Sequence, residues 1–225
     1  MILVTGATGN IGRELLRQLD GADVRALTRD ATRAAAGMPA GVEVTEGDLG
    51  RPESLKSALR GARSLFLIPG VGDDTGTLDA ARDAGVEHVV LVSSITVMTH
   101  PHLGPARANL AVERRLRESG MEWTVLRPTQ FASNTLWWAR SVRDASVVRV
   151  PYADVGLPTV HPADIASVAR AALTGPGSTG GAPTRSPDRS GSARGGRPVS
   201  WDGCSAGRWP ASGSRGRRRT RRWPR

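Results

Sequence analysis

Three glycines, Gly6, Gly9 and Gly12, stand at three-residue spacing in the opening stretch MILVTGATGNIGRELLRQL. An apolar run precedes them and an amphipathic run follows. In a strand–turn–helix setting each glycine has its own task. Gly6 permits the tight turn, Gly9 lets backbone N–H groups approach a diphosphate, and Gly12 lets the helix pack close to the strand. The helix N-terminus would then direct its partial positive charge at the phosphates. An unliganded β–α turn is the plainer alternative. The place of the motif at the first strand of a βαβ chain favours the phosphate-binding reading.

The second apolar run ends Leu27-Thr28-Arg29-Asp30. A carboxylate at this strand tip suits the ribose hydroxyl of NAD, whereas an Arg suits the 2′-phosphate of NADP. Arg29 comes first and Arg33 follows one helical turn on, while Asp30 suits a helix cap. These residues point to NADPH in preference to NAD. A solvated surface charge is the alternative for Arg29. Elsewhere, His100 and His102 share a proline-containing loop, too few ligands for a metal. His161 and Asp164 flank the start of a helix. Phe131, Trp137 and Trp138 suit a substrate wall, core packing or a dimer contact.

Such loops need a scaffold. Residues 1–174 alternate short apolar runs with amphipathic stretches. The runs are ILVT (2–5), VRALT (24–28), VEVTE (42–46), SLFLIP (64–69), HVVLVSS (88–94) and EWTVLRP (122–128). Between them lie the helical patterns IGRELLRQLD, RPESLKSALRG, GTLDAARDAG and ARANLAVERRLRESG. Nearly continuous apolar strands alternating with helices predict a parallel sheet covered on both faces. Right-handed crossovers make it a doubly wound α/β domain over residues 1–175. Ligands of such sheets bind beyond the carboxyl ends of the strands.

The formal net charge of the 225 residues is +10. From Gly175 onward there are twelve Arg and two Asp, which leaves nineteen basic and nineteen acidic residues before it. The neutral body gives no electrostatic reason for specific nucleic-acid binding. The tail arginines would hold phosphates only without sequence preference. Residues 176–225 carry too little apolar surface to offset the entropy of ordering and are expected to be disordered. The single cysteine, Cys204, allows no intramolecular disulfide. No apolar run approaches the roughly 20 residues of a membrane helix. With no signal-peptide pattern, a cytoplasmic location is expected.

The ordered set TGATGNIG, LTRD, EGDLG, LVSSI, AVERRLRESGMEWTVLRPTQFASN and HPADIASVARAAL resembles the NmrA-like, atypical branch of the short-chain dehydrogenases/reductases. The resemblance covers residues 1–174 and implies an NAD(P)-binding Rossmann fold. It implies that Gly6, Thr8, Gly9, Asn10 and Ile11 hold the diphosphate and that Arg29 meets the 2′-phosphate. Asp48 and Leu49 would border the adenine, and Ile68 and Pro69 would line the cleft at the fourth strand. Ser93, Pro128 and Thr129 would lie near the nicotinamide. Asp48 is equally suited to a helix cap, and Ser93 to a satisfied hydroxyl at a strand end.

The family includes reductases acting on quinone-like small molecules and non-catalytic redox sensors, so both activities are implied, with a homodimer as a further expectation. The chain departs from the superfamily at the usual Tyr-x-x-x-Lys acid/base pair. Its only Tyr is Tyr152 and its only Lys is Lys56. Ala108 and Asn109 stand where some members carry Lys or His, and Asn109 cannot shuttle a proton near neutral pH. Catalytic residues are therefore not assigned. The family's next strand is expected after the DIA helix, but the chain reads GAPTRSPDRS over 181–190. Back-translated with suitable codons and read two bases later, that stretch spells Arg-Thr-Tyr-Pro-Leu-Thr-Gly-Pro-Glu. A frameshift near residues 175–181 is the expectation, with part of the substrate lobe missing.

Overall fold

The computed structural model describes residues 1–70, 72–149, 156, 158–175, 197–200 and 220–222. In chain order it begins β1 (Ile2–Val4), α1 (Asn10–Gln18), β2 (Val24–Thr28), α2 (Ala31–Ala35) and β3 (Glu43–Glu46). Next come α3 (Lys56–Leu59), β4 (Ser64–Leu67), α4 (Asp74–Asp83), β5 (His88–Val92), α5 (Thr96–Thr99), α6 (Gly104–Glu118) and β6 (Glu122–Arg127). The remainder is β7 (Gln130–Phe131), α7 (Ala139–Ala145), β8 (Val147–Arg149), β9 (Thr159–Val160), α8 (Pro162–Thr174), β10 (Arg197–Ser200) and β11 (Thr220–Arg222).

The main sheet has the order β10-β6-β5-β4-β1-β2-β3, and every neighbouring pair is parallel. The order reverses between β1 and β4, which opens a crevice at the carboxyl ends of those strands. Strand composition follows position. SLFL and HVVLV, in the middle, are buried at every residue, whereas EVTE at the edge is half-exposed or exposed. Successive side chains of one strand feed opposite faces. Ile2 and Val4 of β1 join α1 and α8 through Leu15, Leu16, Ile165 and Ala169. Leu3 joins the other layer with Leu59, Leu78, Val112 and Leu116. Burying that apolar surface on both faces is the main stabilising term.

Two local departures have physical causes. RPESLKSALRG was expected as one helix but divides into a 3-10 turn, Pro52–Leu55, and the short α3. The Ser54 hydroxyl accepts from Asp48 N at 2.9 Å and donates to Asp48 O at 3.2 Å, so it anchors the preceding loop instead of continuing a helix. A short helix, α2, follows β2, absent from the periodicity but in keeping with Asp30 as a helix cap. Asp30 caps it, accepting from Arg33 N at 2.9 Å. In the segment expected to be disordered, β10 pairs with β6 and β11 pairs antiparallel with β8. Strand β10 thus occupies the sheet edge where a missing strand was expected. The rest of 176–225, GAPTRSPDRS included, lies outside the described residues, as does Tyr152.

Candidate functional site

The turn after β1 is built by its backbone. Gly6 adopts φ +59°, a conformation L side chains rarely take, and a Cβ there would meet Ile68 Cδ1 at 3.1 Å. Gly9 N donates to Gly6 O at 2.9 Å and closes the turn. The buried Thr5 hydroxyl accepts from Ile68 N at 3.0 Å, which ties the end of β1 to the end of β4. At Gly12 a Cβ would lie 2.2 Å from Gly6 O and 2.9 Å from Ala7 Cα, so only glycine lets α1 sit this close to the turn.

Helix α1 has no side-chain cap at Gly9. The amides of Asn10, Ile11 and Gly12 have no partner among the described residues, and Arg13 N is the first in the helix to find one, Gly9 O at 3.0 Å. Three free N–H groups at the positive end of a nine-residue helix suit an anion. Ile11 can contribute only its amide, because its side chain belongs to the core.

A pocket of about 690 Å³ opens beside this turn. Six of the sequence-predicted residues line it: Gly6, Thr8 and Gly9 from the turn, with Arg29, Asp48 and Leu49 from the ends of β2 and β3. Sequence reasoning missed its apolar wall, Leu27, Ala34 and Met38, and one member of its cationic rim, Arg13. The signal for Arg13 was its place directly after the third glycine. Each pocket carboxylate accepts one backbone N–H. Asp30 caps α2, and Asp48 Oδ1 accepts from Gly50 N at 2.9 Å.

Of the seven other predicted residues, Asn10 and Ile11 open α1 and five lie at the ends of neighbouring strands; none lines this pocket. Ile68 and Pro69 follow β4, Ser93 follows β5, and Pro128 and Thr129 follow β6. The backbone joins the last two groups: Ile95 N donates to Pro128 O at 3.0 Å and Ser93 N to Leu126 O at 2.7 Å. Trp137, in a 3-10 segment over Ala132–Trp138, is exposed, while Phe131 packs on the core. Lys56 is exposed at the start of α3, and His100 and His102 are exposed before α6.

Ser93 has a specific partner. Its hydroxyl donates to Glu113 Oε1 at 2.7 Å. Glu113 is fully buried and also receives Arg127 Nε at 2.9 Å, Arg127 Nη2 at 2.5 Å and Arg117 Nη2 at 2.6 Å. Burial alone would raise this carboxyl's pKa. The hydrogen bonds from Arg127, Ser93 and Arg117 outweigh it and hold the pKa below the usual glutamate value. Arg117 in turn lies over the Trp123 ring. With its hydrogen bond donated to Glu113, the Ser93 hydroxyl offers only acceptor capacity to anything near the nicotinamide position. Sequence reasoning missed this cluster. The available signal was an acid between Val112 and Leu116 on the apolar side of a helix.

Residues 6–176 match the NAD(P)H-binding family. The chain is 44% identical over 186 residues to the (4-alkanoyl-5-oxo-2,5-dihydrofuran-3-yl)methyl phosphate reductase of Streptomyces griseus, covering 80% of this chain and 65% of that protein. It is 35% identical over 184 residues to the NAD(P)H azoreductase of Xenophilus azovorans, covering 79% and 64%. Among solved structures, an NADPH-dependent quinone oxidoreductase of Escherichia coli in complex with NADPH superimposes with a TM-score of 0.65 at 28% identity, covering 79% of this chain and 66% of that one. The chain thus spans just under two thirds of the length of these curated relatives. The glycine turn, the parallel order reversing at β1 and β4, and these matches together make the chain a member of the NAD(P)H-binding family, in its NmrA-like, atypical short-chain dehydrogenase/reductase branch.

Proposed function

We propose that the chain binds NADPH across the β1–α1 turn and serves hydride transfer to a quinone-like or other conjugated carbonyl small molecule. The observation that carries this reading is the set of free amides on Asn10, Ile11 and Gly12 beside a pocket rimmed by arginines. The turn would hold the diphosphate, Arg29 the 2′-phosphate, and Leu27, Met38 and Leu49 the adenine. Pro69, Ser93, Pro128 and Thr129, at the carboxyl ends of β4, β5 and β6, would border the nicotinamide. Bound NADPH would supply the hydride. A quinone-like acceptor asks least of the protein, because its oxygen can take a proton from water. That suits a site in which the Ser93 donor is engaged by Glu113 and Lys56 stands on α3.

The relatives named as an azoreductase and a quinone oxidoreductase support this acceptor class. No described helix is long and apolar enough to cross a membrane. A cytoplasmic location, a small-molecule partner, a homodimer and no sequence-specific nucleic-acid or membrane role complete the reading. The test is NADPH oxidation followed at 340 nm with a panel of quinones. Turnover with at least one quinone, faster with NADPH than with NADH, is expected. Tight NADPH binding without turnover would favour a redox sensor instead, the reading favoured by the missing acid/base pair.

A further inference from the structure

We propose that Arg13 is a specificity residue for the adenosine 2′-phosphate, sharing one pocket with Arg29 and Arg33. This assignment rests on the NADPH reading and goes beyond it, since the Arg that follows β2 is the one the fold leads one to expect. The three arginines come from three elements: α1, the end of β2, and α2. All three line one pocket and all are exposed. None forms an ion pair or a side-chain hydrogen bond among the described residues. Their neighbours behave otherwise. Arg17, one turn further along α1, pairs with Glu14 at 2.6 Å, Arg25 pairs with Glu43 at 2.9 Å, and Arg51 reaches Asp48 at 3.5 Å.

Two carboxylates, Asp30 and Asp48, line the same pocket, and neither forms an ion pair with Arg13, Arg29 or Arg33. The Asp30 carboxylate is held by Arg33 N, and that of Asp48 by Gly50 N and Arg51. Three arginines against two carboxylates leave the lining net positive, which favours an anion. The diphosphate has its own donors in the α1 amides. The charge still to be matched is a second phosphate, and a dianionic 2′-phosphate next to an adenine suits a rim of guanidinium groups drawn from three elements. Arg13 adds what Arg29 and Arg33 cannot, a donor approaching from the α1 side of the pocket.

The experiment is isothermal titration of the full chain and of Arg13→Ala with two fragments, adenosine 2′,5′-bisphosphate and ADP. The first carries the 2′-phosphate and the second carries the diphosphate without it. Loss of one charge-assisted contact should weaken the bisphosphate about tenfold and leave ADP within about twofold. Arg29→Ala, run alongside, should give the same pattern. Because Arg13 is exposed and unpaired, the variant's melting temperature should match that of the parent. Equal losses for both fragments would assign Arg13 to the diphosphate and overturn the proposal, as would no loss for either. If the parent chain binds neither NADPH nor the bisphosphate, the NADPH reading fails as well, an outcome distinct from the other two.

Discussion

Replacing Glu113 by Ala should be the most destabilising single change in the described structure. The carboxylate is fully buried and accepts from Ser93, Arg117 and Arg127, so its loss leaves two guanidinium groups facing a cavity. Breaking a buried pair by removing one partner costs about 3–5 kcal/mol. For a chain of this size that is a fall of roughly 6–20 °C in melting temperature. Glu113→Gln, which keeps the shape and loses the charge, should fall in the same direction by less.

The pH dependence has a definite sign. The folded Glu113 carboxyl lies below its ordinary value of 4.5. Its contribution is therefore complete above that value and is lost as the pH falls through the folded pKa. Urea melts at pH 7 and at pH 4 should differ more for the parent than for Glu113→Gln. Equal differences would show that Glu113 does not carry this part of the acid sensitivity.

Gly12→Ala should have the second large effect, on both folding and cofactor. The added methyl would lie 2.2 Å from Gly6 O and 2.8 Å from Gly6 C, both backbone atoms that cannot rotate away. Helix α1 must then retreat from the turn. Overpacking of this kind costs about 1–3 kcal/mol. The retreat also carries the free amides of Asn10 and Ile11 away from the diphosphate position, so NADPH affinity should fall by about tenfold or more, each factor of ten being about 1.4 kcal/mol. Denaturant melts and NADPH fluorescence titration together check it. A variant as stable and as tightly binding as the parent would mean that the close approach of helix and turn is not required.

How much of this was legible beforehand depended on how locally each demand is written. Gly6, Gly9 and Gly12 each answer a backbone requirement within seven residues of chain, and Arg29 sits where a strand tip was already evident. The apolar runs of β4 and β5 announced central strands because both faces are covered. The Ser93–Glu113–Arg127 cluster was not legible, because it joins the end of β5, the middle of α6 and the end of β6. Only packing brings those together: taken singly, Ser93 suits a satisfied hydroxyl at a strand end and Glu113 an acid on the apolar side of α6, and neither identifies its partner. Arg13 looked like any charged residue on the outer side of a helix until the pocket gathered it with Arg29 and Arg33. Strand β10 could not be foreseen, since RPVS has little of the apolar content that marks a strand and is specified by backbone pairing with β6.

The measurement that bears most directly on the account is an NADPH titration of Gly9→Val. Gly9 has φ −82° and ψ 175°, extended backbone that valine adopts readily, and among the described residues a Cβ there would meet Gly6 O alone, in a tight contact of 3.2 Å that a shift of a few tenths of an ångström relieves. The variant should therefore fold while its side chain fills the space in front of the α1 amides. Losing two charge-assisted contacts predicts NADPH binding weakened at least about 100-fold, with a melting temperature near that of the parent. Unchanged NADPH binding by the folded variant would contradict the placement of the diphosphate at this turn.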